Sequence, residues 1–216
     1  MVTLLVTQHW STAAPQSAMP MDTDLHKAAK NGDIDEMRDC LDAGTNINEQ
    51  GAQGRTALHR ALGGGFAEAA TFLIERGADL TISDSLRRTS MHWAAMGPPP
   101  GNVECCALVF EKSDGKVMLA QKTKTGNTPL HSAASTNRHQ VIKLLLENGA
   151  DEKAEDEDGL TPYDQASVEG HAEILAYLSV NTGSGSVGSS TAGGGDGGGC
   201  SGGSSGGGSG ACCALQ

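Results

Sequence analysis

Positive charge is scarce in this chain and confined to its middle. No lysine or arginine precedes Lys27 or follows Lys153, and the formal net charge is −11. A nucleic-acid footprint needs clustered cations, so DNA and RNA are excluded as non-specific partners and protein partners are expected instead. No apolar run approaches membrane-spanning length, and no Asn-x-Ser/Thr glycosylation acceptor occurs. The apolar opening Met1–Val6 has no basic residues in front of it and is cut off by Thr7, Gln8 and His9, so it does not read as a secretory signal. Nucleophile-elbow, P-loop and zinc-ligand spacings are missing too, which argues against an enzyme and leaves no catalytic residue, metal or cofactor to assign. The six cysteines fall into two groups: Cys40, Cys105 and Cys106 in helical patterns, and Cys200, Cys212 and Cys213 near the end. Neither group has metal-knuckle spacing, and reduced thiols in a cytoplasmic protein are expected.

What the chain does have is a repeat. Thr128-Pro129-Leu130-His131-Ser132-Ala133-Ala134 reads as a turn opening a short helix, because the Thr128 hydroxyl can cap and Pro129 at the first helical position loses no hydrogen bond. Asp24–Ala29, Thr56–Ala61, Thr89–Ala94 and Thr161–Ala166 repeat the shape. His26 to His59 is 33 residues, His59 to His92 is 33, His92 to His131 is 39, and His131 to Asp164 is 33. A period this regular predicts a solenoid, in which each helix pair buries its apolar side only against its neighbours.

T-P-L-H-x-A at a 33-residue period resembles the ankyrin repeat, over roughly residues 22–180. The likeness extends to the end of the second helix, where Phe72–Asp79 and Leu144–Asp151 repeat one another. The resemblance implies an all-α ankyrin-repeat solenoid of about five helix-turn-helix units linked by β-hairpin loops. The units are placed at 22–50, 51–83, 84–122, 123–155 and 156–180, after a flexible leader over 1–21. Gly63-Gly64-Gly65 at a helix-to-helix turn predicts a soft turn, since glycine takes left-handed angles without steric cost. The third unit carries six extra residues. Three are Pro98-Pro99-Pro100, which must protrude because proline cannot continue a helix, and the others lie around Ser113–Leu119. The acidic run Asp151–Asp158 lacks the glycine and the terminal glutamate of a calcium loop and reads as a solvated hairpin. The four motif histidines fall in separate units, where each is expected to hydrogen-bond locally.

From Asn181 the composition turns to Gly and Ser, with Asp196 the only charge, so 181–216 is expected to be a disordered tether. It ends Cys213-Ala214-Leu215-Gln216, which fits a C-a-a-X box whose final Gln points to farnesylation of Cys213. One lipid chain anchors only reversibly. The polybasic second signal is missing, so palmitoylation of Cys212, or of Cys200, is the expected supplement at the cytoplasmic face of a membrane. The alternative is a cysteine that falls near a low-complexity end by chance.

Ankyrin-like stacking implies a concave recognition surface built from hairpin tips and first helices, in a protein expected to be monomeric. The residues expected there are Lys30, Arg55, Leu86, Arg88, Trp93, Met96, Lys124 and Ser135. Arg55 and Arg88 lie one period apart and should stack side by side, with Arg87 and Lys124 close by, which would select an acidic partner segment. The competing reading is ordinary surface charge balanced by Asp84. Trp93 and Met96 would make an exposed anchor, or Trp93 would pack partly against its neighbours. Two functions follow: a non-catalytic protein-binding adaptor tethered by its lipidated tail, or a soluble ankyrin-type regulator or inhibitor of an enzyme or transcription factor.

Overall fold

The structure, a computed structural model, describes residues 21–113 and 115–182, which belong to one compact unit. The leader with Trp10 and the tail with Cys200, Cys212 and Cys213 lie outside the described residues. Helices follow in pairs: α1 (Asp24–Asn31) with α2 (Ile34–Asp42), α3 (Ala57–Gly64) with α4 (Ala67–Glu75), α5 (Ser90–Met96) with α6 (Gly101–Lys112). A short α7 (Gly115–Leu119) intervenes, and α8 (Pro129–Ser135) with α9 (His139–Glu147) and α10 (Pro162–Val168) with α11 (Ala172–Thr182) complete the series. The first helices stack on one another as α1, α3, α5, α8 and α10, and α4, α6, α9 and α11 form a second layer.

Each first helix starts the same way because the motif residues cap it reciprocally. The Thr hydroxyl of Thr23, Thr56, Thr89 and Thr128 faces the backbone N–H three residues on, and the histidine at that position reaches back to the threonine N–H. Thr N–H to His Nδ1 distances are 3.3, 3.1, 3.2 and 3.2 Å. Asp164 takes the histidine's place in α10, accepting from Thr161 N–H at 3.0 Å. Because Nδ1 accepts a backbone proton, the ring proton sits on Nε2, and there the histidines depart from the local role the spacing predicts. His26 Nε2 donates to the Arg55 carbonyl at 3.0 Å, His92 Nε2 to Asn127 at 3.1 Å and His131 Nε2 to Leu160 at 3.0 Å. Each of these rings ties its own helix to the tip of the next pair. His59 Nε2 is buried without a well-aligned partner.

The connections between pairs are tips rather than strand ladders, and no strand occurs among the described residues. Each tip is closed by a backbone bond between its ends, Gly51 to Arg55 (2.8 Å), Asp84 to Arg88 (2.9 Å), Thr123 to Asn127 (2.9 Å) and Asp156 to Leu160 (3.0 Å), with a second inside it from Gly54 to Gly51, Arg87 to Asp84, Gly126 to Thr123 and Gly159 to Asp156. Successive tips are joined by Ser85 N–H to the Gln53 carbonyl, Lys124 to Leu86 and Glu157 to Thr125. One bond per crossing satisfies the backbone without forming a sheet.

The core runs the length of the stack: Leu25, Leu58, Met91, Leu130 and Ala166 from the first helices, and Leu73, Val109, Ile142, Leu145, Ile174 and Leu178 from the second layer. A fully buried leucine of this kind contributes about 2 kcal/mol. The insertion in the third unit is absorbed in two places, as the spacing predicts. Pro98, Pro99 and Pro100 are exposed ahead of α6, while Met118 and Leu119 of α7 are buried in the core. Two members of the triple glycine, Gly63 and Gly64, belong to α3, and Gly65 caps it. Only Gly65 holds a left-handed angle, φ +74°. A Cβ on Gly63 would stand 2.8 Å from the Trp93 ring and one on Gly64 would stand 2.6 Å from Phe66, so these two glycines make room for aromatic side chains.

Candidate protein-binding face

The tips and the first helices present their variable side chains to the same face. In the second and third pairs this face is built around Trp93. The Arg55 guanidinium carbon lies 4.4 Å from the indole centroid and that of Arg88 4.3 Å. The two arginines therefore meet over the tryptophan rather than on each other, as cation–π contacts. Trp93 is half-buried and covered by these groups, which removes it as an exposed apolar anchor. Its place is set by Gly63 beneath it and by His59, whose ring centroid is 6.4 Å away.

The charges around the indole are unequally matched. Asp84, whose side chain is fully buried, accepts Arg88 Nε at 2.8 Å and the Leu86 and Arg88 N–H groups at 2.9 Å each. Arg88 is thereby neutralised, and part of the strip predicted to be basic is balanced as the competing reading supposed. In the second tip the equivalent position is Gly51, and a carboxylate from the first pair stands in for the missing side chain. Asp22 accepts Ala52 N–H at 3.0 Å and Arg60 Nη2 at 2.6 Å. Burial works to raise the Asp22 pKa, but the hydrogen bonds from Arg60 and Ala52 outweigh it and hold the carboxyl below its ordinary range. A Cβ on residue 51 would come within 2.7 Å of that carboxylate, so the glycine is required.

Arg55 makes no ion pair among the described residues and bonds only to Gln53 Oε1. Burial, then repulsion from Arg60 and Arg88, lowers its pKa. Three arginines thus share two carboxylates. Arg60 and Asp22 are not among the residues the sequence pattern points to, although Arg60 follows His59 as Trp93 follows His92, and that register is the available signal.

Toward the fourth pair the face opens. A groove of about 200 Å³ lies between Leu86, Arg88 and Met96 on one side and Lys124, Asn127 and Ser135 on the other. Leu86 is 49% exposed, Met96 half-buried and Lys124 exposed, so the groove offers apolar surface next to the neutralised Arg88 and to Lys124, which has no ion pair among the described residues. Five of the eight residues expected at the face meet here, with Arg55 and Trp93 adjoining. Lys30 does not join them: it is exposed on α1, two first helices away.

The histidines have no such reach. Burial, offset in part by the Asp84 charge and by a backbone hydrogen bond, lowers the His59 pKa to about 4, and burial does the same to His92. Burial lowers His131 as well. The thiols of Cys105 and Cys106 are buried, which pushes Cys105 up to about 11 and Cys106 beyond the usual thiol range, so neither is a nucleophile.

The family profile described as "Ankyrin repeats (3 copies)" matches residues 25–119 and 113–185. An ankyrin repeat protein of Fowlpox virus (strain NVSL) is 32% identical over 129 residues, covering 57% of this chain and 82% of the viral protein. An ankyrin repeat protein of Rickettsia felis is 30% identical over 126 residues, 58% of this chain and 40% of that one. A palmitoyltransferase of Lachancea kluyveri is 28% identical over 159 residues, 73% of this chain but 21% of the enzyme. The chain thus spans less than half of the bacterial relative and about a fifth of the yeast one.

Proposed function

Since the chain belongs to the ankyrin-repeat family, we propose that it is a non-catalytic, monomeric adaptor of about five repeats, over 22–180, that holds a protein partner on its tip and first-helix face. The observation that carries this reading is the groove between the third and fourth pairs, where Leu86 and Met96 are open beside Arg88 and Lys124. Apolar contact at the centre with cations at the rim is the composition of a protein-binding patch. The unmatched charge of Arg55, with exposed Arg87 and Lys124, selects an acidic segment in the partner. The likeness to the palmitoyltransferase covers too little of that enzyme to carry an activity across. What it supports is a shared repeat scaffold.

A photo-reactive residue placed at Leu86 should cross-link the partner in cells. The same residue at Ala107, exposed on the second-helix layer, should not. Adding Lys124→Glu should weaken capture about tenfold while leaving the unfolding midpoint in place, the loss of a rim charge opposite an acidic partner. Equal cross-linking at both positions would remove the proposed face.

In the same reading Cys213 is farnesylated, and Cys212 or Cys200 acylated, which would hold the adaptor at the cytoplasmic face of a membrane. Cys213→Ser expressed in a eukaryotic host should lose the farnesyl mass and move to the soluble fraction. Unchanged partitioning leaves the soluble regulator as the surviving function.

A further inference from the structure

On the opposite side of the molecule from the tips, the turn after α5 meets the start of α9 around a cavity of about 170 Å³ lined by Pro99, Asn102, Asn137, Arg138, His139 and Gln140. Three observations converge on it. First, α9 has nine residues and begins without a side-chain cap and without an acid in its first turn. The second helices elsewhere carry one or more there: Asp35 and Glu36 in α2, Glu68 in α4, Glu104 in α6 and Glu173 in α11. The unpaired N–H groups and the positive end of the helix dipole therefore face the cavity uncompensated. Second, the residue at the cap position is Arg138, a cation placed where the dipole already disfavours one. Among the described residues its side chain makes no hydrogen bond or ion pair, and its Nε is buried without a partner. Third, Asn102, in the first turn of α6, is only 2% exposed and its carboxamide makes no hydrogen bond, with Oδ1 buried and unpaired. A buried amide left idle is costly, and with nothing fixing its orientation it can turn to offer its NH₂. Glu104, the nearest acid in sequence, faces a different cleft, beside Phe66.

We propose that this cavity is an oxyanion site that takes a phosphate group. The donors approach from separate directions: the start of α9, the Asn102 carboxamide and a guanidinium. A tetrahedral anion presents acceptor oxygens to all of them, whereas a planar carboxylate presents two. The negative charge compensates the α9 terminus and Arg138 together, which is the work that the first-turn acids do in the other pairs. A free phosphate and the phosphate ester of a modified side chain present the same oxygens to this site, so the chemistry recognised is the same.

The test is titration of the full-length, ¹⁵N-labelled chain with sodium phosphate at constant ionic strength, followed by amide spectra. Saturable shifts are expected at His139, Gln140 and Val141 and at the Asn102 side-chain NH₂. They should weaken about tenfold in Arg138→Gln, the loss of a charge-assisted hydrogen bond. Gln140→Glu supplies the missing first-turn acid. It should raise the melting temperature in phosphate-free buffer and abolish the phosphate response, and its fold is checked by the unshifted amides of α1–α5. O-phosphoserine in place of phosphate separates the sources: tighter binding assigns the site to a modified side chain, equal or weaker binding to the free anion. Shifts reproduced by sodium chloride alone, or retained in full by Arg138→Gln, overturn the site.

Discussion

The second and third helix pairs and the fourth and fifth share one backbone plan but carry different chemistry at the same positions. Where the third tip has Asp84 paired with Arg88, the fifth has Asp156 accepting the Asp158 and Leu160 N–H groups at 3.0 and 2.9 Å, with no ion pair among the described residues. Where α3 and α5 carry Arg60 and Trp93 after the motif histidine, α8 and α10 carry Ser132 and Gln165. The first region spends its variable positions on a packed cluster of cations around one indole, and the second puts uncharged side chains there, Ser132 buried and Gln165 half-buried. Repeat geometry therefore supplies places, and the side chains decide whether a place becomes internal structure or contact surface.

The sharpest way to break that contrast is at the shared tip acid. Asp84→Ala strands Arg88 and two N–H groups in a buried setting and should cost about 3–5 kcal/mol. Asp156→Ala removes only two hydrogen bonds at a half-buried site and should cost about 1–2 kcal/mol. Urea unfolding of the two variants measures both, and equal costs would mean that the Arg88 pair adds nothing.

Acid should unsettle the first region next. The folded pKa of His59 and of His92 is about 4, below the ordinary 6.5, so the unfolded chain takes up the proton first. Stability contributed by the neutral rings is complete above pH 6.5 and is lost as pH falls from there toward 4. At pH 5 the loss is about 2 kcal/mol for each ring. Unfolding free energies at pH 7 and pH 5 check this, and a flat profile contradicts the buried, neutral imidazoles.

The smallest effect is expected beneath the indole. Gly63→Ala gains helix propensity but drives a methyl into Trp93, whose ring stands 2.8 Å from where that Cβ would be, for a net cost of about 1 kcal/mol. Trp93 emission, read in a Trp10→Phe background, should shift as its arginine cover is displaced. Ser135→Ala, four residues after the motif histidine as Gly63 is, should change stability by less than about 0.5 kcal/mol.

Much of the fold was legible because its signals are local. Threonine and histidine three apart form a capping box within one helix turn, and their recurrence gives the stack. Of the site, Arg55 and Arg88 were legible as neighbours because a fixed period places equivalent residues side by side. What they stack on was not legible. Trp93 reads as an exposed anchor until Gly63 is seen to admit its ring and the two guanidinium groups to cover it. Asp22 was hidden for a similar reason: its carboxylate fills a vacancy left by Gly51, 29 positions further along the chain.

By itself the sequence determined the helix pairs, their order and the face that the tips and first helices share, since caps, turns and apolar spacing act within a few residues. Tertiary structure alone decided which charges are paired, which histidine nitrogen reaches the next repeat, and where the face closes over Trp93 or opens beside Leu86. Those outcomes depend on distances between side chains about 30 residues apart, and a repeat fixes such distances only once its neighbours are stacked.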